Sequence, residues 1–323
     1  PEPEPGPGEV RVRLKAAALN RLDLFVLAGM PGIPIGLPHI GGADGAGVVD
    51  ARGPGVEGIE IGAEVVFDPG LSCGSCEFCR AGEHSLCVRF GVLGEHCDGT
   101  FAERVVVAAA SLAPRPAHLG WEEAAAFGLT YLTAWRMLFS RGRARAGETV
   151  LIHGIGGGVS LACLQLAKLA GCRTIVTSRS EAKLARAAEL GADHSLPADE
   201  QVARGVRALT ARRGAEIVVD SVGEATWMQS LKAAAKGGRV LTCGATSGPN
   251  PKEEIRLIFW NQLSILGSTM GSRDDWRRLV AAVTAEGLRP VVDTVLPLAE
   301  GRKAYSRLEA AGQFGKIVLS IDG

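Results

Sequence analysis

Cys73, Cys76, Cys79 and Cys87 stand in a C-x2-C-x2-C-x7-C pattern. Thiolates at this spacing can converge on one tetrahedral ion, and four of them leave no open position for water or substrate. The expected occupant is one structural zinc, not a catalytic one. An iron–sulfur centre can use similar spacing, but the second ligand set of two-cluster ferredoxins is missing. Soft thiolate donors favour zinc over the alternatives of iron or no metal.

A second group of residues points to a phosphate. Val150–Ser160 (VLIHGIGGGVS) reads as a buried strand, a glycine turn and a helix start. Gly154, Gly156, Gly157 and Gly158 let the backbone approach a pyrophosphate, and Val159 opens the helix whose N-terminus offers free N–H groups. The spacing departs from GxGxxG, since Ser160 takes the place of the last glycine, although a small residue still permits close helix–strand packing. The next strand ends in Ser178 and Arg179, with Lys183 one turn on. An NAD site would place a carboxylate at that strand end. A hydroxyl and a guanidinium instead suit the extra phosphate of NADP(H). The alternative readings are a plain tight turn and a solvated surface arginine.

The elements that must position these groups fall into two styles. Residues 9–16 alternate apolar and charged, as a strand does. Up to about residue 120 the chain is rich in glycine and proline, with short strand candidates at 47–50, 64–67 and 102–107 and the zinc cysteines in a loop between the last two. Residues 122–139 read as one Ala-rich helix. Strands at 149–153, 174–177, 217–220, 239–243 and 265–269 then alternate with helices at 160–170, 181–190 and 225–235. That alternation predicts an α/β fold with a doubly wound parallel sheet. A helix at 274–286, the segment 291–296, another helix and a strand at 316–321 close the chain. The expected division is 1–123 for a mostly β domain, 124–269 for the nucleotide domain and 270–323 for a return to the first. Pro1–Gly8 reads as a connector, with a first strand missing before it.

Of the 323 residues 46% are hydrophobic and 22% charged, with zero net charge, as in an ordinary globular protein. No basic excess points to nucleic acid. No apolar run is long enough for a membrane helix, and no signal peptide is evident. Cys97, Cys163, Cys172 and Cys243 are scattered. A reducing, cytoplasmic location is expected.

The order of zinc lobe, nucleotide region and return segment resembles the medium-chain dehydrogenase/reductase superfamily over nearly the whole chain. Its carriers are Gly41–Gly47 (GGADGAG), the four cysteines, Asp98–Glu103 (DGTFAE), Gly128–Trp135 (GLTYLTAW), the His153–Ser160 loop and Leu266–Met270 (LGSTM). The resemblance implies a GroES-like catalytic domain beside a Rossmann domain. The family's zinc alcohol dehydrogenases carry a second, catalytic zinc on two cysteines and a histidine. The matching positions here are Asn20, Ala43 and Ala126, and Asp44 replaces the family's glutamate. No ordinary three-ligand catalytic zinc is built from these. GADGAG and Ala17–Asp23 (AALNRLD) look like the quinone oxidoreductase branch, so the chain reads as a hybrid that keeps the structural zinc and loses the catalytic one.

What remains is an NADPH-dependent oxidoreductase whose small-molecule acceptor, a quinone or an α,β-unsaturated carbonyl compound, is electrophilic without a metal. The resemblance places Asn20, Asp23, Phe25, Asp44, Glu95, His96 and Thr130 near the substrate. His96 is the candidate proton donor. Asn20 and Thr130 are candidates for hydrogen bonds to a carbonyl oxygen or to the nicotinamide amide, and Asp44 and His96 for a displaced metal site. His84 is a candidate hydrogen-bond donor to the zinc thiolates. The alternatives are a zinc-dependent alcohol dehydrogenase and a non-catalytic NADPH-binding protein. Homodimerisation is expected through an edge strand at Ile265–Met270.

Overall fold

The protein is described by a computed structural model covering residues 2–29 and 34–321, and Pro1 of the expected connector lies outside the described residues. The chain forms two compact units, residues 1–132 with 270–323, and residues 133–269.

In the first unit, seven strands among the described residues share one sheet. Its centre is Glu9–Ala18, two residues longer than the alternation alone indicates. Val10, Val12 and Leu14 point to one face and are fully buried, as period-two patterning requires. This strand pairs antiparallel with Asp44–Arg52 on one side. On its other side it pairs first with Arg104–Ala108 and then with Lys316–Ser320. Ala18 therefore stands opposite Asp44 on one neighbour and Val318 on the other. Asp44 is the polar member of that row. Leu14, Val49, Val65, Phe67 and Val105 form one core, and Leu19, Leu308, Ile317 and Leu319 a second. The connector is docked, since Gly8 N donates to Pro54 O at 2.9 Å.

The single helix expected over 122–139 is broken. Trp121–Ala125 and Gly128–Trp135 are separate helices, followed by a π-helical turn, Arg136–Arg141. Ala content favours a continuous helix, but a side chain from the sheet caps the second helix instead, as described below.

The second unit holds a six-stranded parallel sheet in the order His194–Pro197, Arg173–Ser178, Thr149–Ile152, Ala215–Asp220, Ala234–Thr242, Ser264–Gly267. Strand order reverses at Thr149–Ile152, the switch point where doubly wound sheets bind ligands. Helix Gly158–Leu169 buries Leu161, Cys163, Leu164 and Leu166. Strand His194–Pro197, helix Val202–Leu209 and helix Ile255–Asn261 lie outside the sequence expectation. The first is short and mostly exposed, so no alternation marks it. No helix among the described residues is long and apolar enough to cross a membrane.

Candidate functional site

The four zinc-lobe sulfurs lie within 4.8 Å of one another, and among the described residues this is the group of His, Cys, Asp or Glu side chains whose ligand atoms converge. Cys73 Sγ and Cys79 Sγ are 3.9 Å apart, close to the ~3.8 Å edge of a tetrahedron with bonds of about 2.3 Å to zinc. Backbone N–H groups already point at sulfur. Cys73 N and Arg89 N donate to Cys87 Sγ at 3.2 and 3.3 Å, and Cys76 N donates to Cys73 Sγ at 3.3 Å. Hydrogen bonds led by the Ser75 N–H push the Cys73 thiol down to about 5. The donor set fits a thiolate-bound zinc. His84 does not serve the thiolates. Its Nδ1 lies 3.1 Å from Gly82 O and 3.4 Å from Arg273 N.

Asn20, Asp23 and Asp44 come together as a buried polar cluster, at 4%, 2% and 0% exposure. Ala43 and Ala126 are fully buried. The cluster has a fourth member that sequence reading did not single out. Lys316 Nζ reaches Asp44 Oδ2 at 2.8 Å and Asn20 Oδ1 at 2.5 Å. Asn20 Nδ2 donates to Asp44 Oδ2 at 3.0 Å, which fixes the amide orientation. Asp23 Oδ2 accepts from Asn20 N at 2.6 Å, a capping contact at the start of helix Arg21–Ala28. Burial pushes the Asp23 carboxyl up to about 7. The sheet register explains the meeting. Leu19 N bonds Ile317 O, which brings Asn20 alongside Lys316.

The remaining carboxylate oxygen of Asp44 accepts from Leu129 N at 2.6 Å. Leu129 is in the first turn of helix Gly128–Trp135, so a strand residue supplies the helix cap. A Cβ on Gly128 would sit 2.6 Å from Asp44 Oδ1, so glycine is required there. The next residue, Thr130, is 4% exposed, and its Oγ1 has no hydrogen-bond partner among the described residues.

His96 stands in the loop after the zinc lobe, about a third exposed. Its Nδ1 accepts from Val92 N at 3.2 Å. A backbone N–H can only donate, so the neutral ring carries its proton on Nε2. Glu95 Oε2 is 3.6 Å from His96 Nδ1, and burial raises the Glu95 carboxyl. Asp44, spent on Lys316, Asn20 and Leu129, does not converge with His96 and Glu95 as a displaced metal site would require.

In the second unit, Gly154 and Gly156 have φ of 68° and 113°, conformations that favour glycine. Gly157 is the N-cap of helix Gly158–Leu169, with Val159 in its first turn. Ser160 Oγ donates to Gly154 O and Gly157 O, each at 2.9 Å, and so braces the turn from within. The free N–H groups of this helix start suit a pyrophosphate. Ser178 ends its strand nearly buried and accepts from Ser180 N at 3.1 Å. Arg179 is exposed, and Lys183 lies in the first turn of helix Glu181–Glu189. His153 is 1% exposed. Its Nδ1 lies 3.2 Å from Thr177 Oγ1, and its Nε2 has no partner among the described residues. Asp220 caps the turn that follows its strand, accepting from Val222 N and Gly223 N.

Residues 6–117 match the alcohol dehydrogenase GroES-like domain and residues 158–285 the zinc-binding dehydrogenase domain. A zinc-type alcohol dehydrogenase-like protein of Schizosaccharomyces pombe is 36% identical over 96% of this chain and 90% of its own. The chain belongs to the medium-chain dehydrogenase/reductase superfamily. It is an oxidoreductase of the branch that holds zinc-type alcohol dehydrogenase-like and quinone oxidoreductase-like proteins. A quinone oxidoreductase of Pseudomonas aeruginosa is 32% identical, with 94% of this chain and 89% of that protein covered. An acryloyl-coenzyme A reductase of Metallosphaera sedula is 31% identical, with 95% and 90% covered. The solved structure of an NAD-dependent alcohol dehydrogenase superposes with a TM-score of 0.95 at 50% identity, covering 100% of this chain and 94% of that one.

Proposed function

We propose that this superfamily member is an NADPH-dependent reductase of quinones or α,β-unsaturated carbonyl compounds that works without a catalytic zinc. One observation carries the reading. Where a catalytic zinc would need three donors, two positions are alanine, and the polar groups beside them are bonded to one another and to Lys316. A carbonyl that needs a Lewis acid is poorly served by such a set. An acceptor that is already electrophilic does not need one. The names of the quinone oxidoreductase and acryloyl-coenzyme A reductase relatives point the same way.

Bound NADPH supplies a hydride to the ring or the β-carbon of the acceptor. The chain's residues do the rest. Gly154, Gly156, Gly157, Gly158 and Val159 hold the pyrophosphate on backbone N–H groups. Ser178, Arg179 and Lys183 hold the extra phosphate of NADP(H). Thr130 Oγ1, buried and unspent, bonds the acceptor carbonyl oxygen or the nicotinamide amide. His96 delivers a proton from Nε2 to the oxyanion or enolate that hydride addition leaves. Asn20 and Asp44 serve as the framework that holds Thr130. Cys73, Cys76, Cys79 and Cys87 hold one structural zinc. The reading includes a cytoplasmic homodimer paired through the sheet edge, which the structure bounds at Ser264–Gly267 and not at the expected Ile265–Met270.

The test is a panel of initial rates. NADPH oxidation is followed with benzoquinone and with methyl vinyl ketone, and NADP⁺ reduction with primary and secondary alcohols. Faster turnover of the first pair supports the reading, and turnover of alcohols alone refutes it. A second reading, an NAD(H)-dependent alcohol dehydrogenase, draws on the name of the 50%-identical structure, and the same panel run with NADH for the acceptors and NAD⁺ for the alcohols separates the two.

A further inference from the structure

Asp44 faces two ways. Oδ2 accepts from Lys316 Nζ at 2.8 Å and Asn20 Nδ2 at 3.0 Å, while Oδ1 accepts from Leu129 N at 2.6 Å. Lys316 is 4% exposed and Asp44 fully buried. A buried carboxylate of fixed orientation needs a partner for its charge. Here the ammonium stands on one side and the positive end of a helix on the other. Turning the carboxylate to suit another partner would break one contact or the other.

We propose that Lys316 is a positioning residue for the reduction. Its ammonium, acting through Asp44, holds the first turn of helix Gly128–Trp135 and with it the Thr130 hydroxyl. The proposal rests on the role given to Thr130 above. Leu129, whose N–H Asp44 binds, is the residue next to Thr130. Lys316 has no comparable claim to act on the acceptor directly, because two of its three N–H donors go to Asn20 and Asp44. Asn20 completes the arrangement as a bridge, accepting from Lys316 and donating to Asp44.

The experiment uses the full chain with NADPH and methyl vinyl ketone. Lys316→Met is compared with Lys316→Met/Asp44→Asn and Lys316→Met/Asp44→Leu. The two double variants remove the Lys316–Asp44 charge pair as a unit and leave Asp23 as the cluster's one buried carboxyl, and only the one with Asn keeps an acceptor for Leu129 N–H. Three quantities are read: kcat, the NADPH dissociation constant, and amide hydrogen exchange at residues 128–131. Lys316→Met is expected to lower kcat roughly 10- to 100-fold, the scale of a small misplacement of a reacting group. Exchange at Leu129 and Thr130 is expected to quicken by about tenfold as the local cap is lost. NADPH binding, assigned to the glycine loop, is expected to hold within about threefold.

The Asn double variant is expected to recover both kcat and protection, and the Leu double variant neither. If Lys316→Met does not fold, the two double variants carry the same comparison. Unchanged exchange at Leu129 in Lys316→Met overturns the clamp. Quickened exchange with unchanged kcat overturns the positioning role. An Asn double variant that regains protection but stays inactive overturns it too, by assigning Lys316 a direct part. Failure of the underlying reading shows separately, because Thr130→Val would then keep its kcat.

Discussion

Lys316 Nζ lies 2.8 Å from Asp44 Oδ2 across 272 residues of sequence, and both side chains are buried. The strand register brings them together, since Ala18 pairs with Asp44 on one side and Val318 on the other. A buried ion pair need not stabilise a fold relative to apolar residues, but a broken one costs heavily. Lys316→Met is therefore expected to lower unfolding stability by roughly 3–5 kcal/mol, and Lys316→Met/Asp44→Asn to recover most of that loss. Urea melts of the variants check this. Equal losses in both would mean that packing around Lys316, not charge, sets the effect.

The coenzyme choice is concentrated at one strand end. Ser178 and the exposed Arg179 stand where an NAD site would carry a carboxylate. Arg179→Glu is expected to weaken NADPH binding by about 10- to 100-fold, the worth of one charge-assisted hydrogen bond turned repulsive. NADH binding should change little. Fluorescence titration with both coenzymes measures it. Equal losses for the two would make Arg179 a residue for the shared part of the dinucleotide.

His96 gives up its Nδ1 lone pair to Val92 N and so presents Nε2–H. His96→Ala is expected to lower kcat with methyl vinyl ketone by roughly 10²-fold or more while the NADPH dissociation constant stays put. A kcat within about twofold of the parent would pass the proton to water or another group.

Asp68 makes stability depend on pH. Burial pushes its carboxyl up to about 7, and Gly70 N, at 2.8 Å, offsets only part of that. An unfolded aspartate titrates near 3.9, so between about pH 4 and pH 7 the folded chain keeps a proton that the unfolded chain has released. The stability contributed by the protonated carboxyl is present below about pH 4 and is lost as pH rises to about 7. Relative to Asp68→Asn, the parent chain is expected to lose on the order of 4 kcal/mol across that window. Parallel stability curves for the two proteins from pH 5 to pH 8 would contradict it.

Much of this was legible in the residues. The cysteine spacing announces the zinc lobe because the ligands are close in sequence. The residues Val150–Ser160 announce their own strand, glycine turn and helix start for the same reason. The expectation that a catalytic zinc is absent rests on Asn20, Ala43 and Ala126, through comparison with a known pattern. Lys316 was not legible. It is a lone lysine at the start of a strand, Lys316–Ser320, and lysine is rarely buried without a partner that only the fold supplies. The break before Gly128 was hidden for a related reason. Its cap comes from Asp44 on a distant strand, so local helix propensity over 122–139 gives no sign of it. Helix Ile255–Asn261 keeps Ile255, Phe259 and Trp260 exposed, so no buried stripe marked it.

The proposed reductase holds one structural zinc and no catalytic one. The most direct test is zinc per chain, by elemental analysis, on enzyme that is turning over methyl vinyl ketone with NADPH. One zinc per chain is expected, falling to none in Cys79→Ser. Two zincs per chain in the active enzyme would contradict it and return alcohol dehydrogenase chemistry to first place.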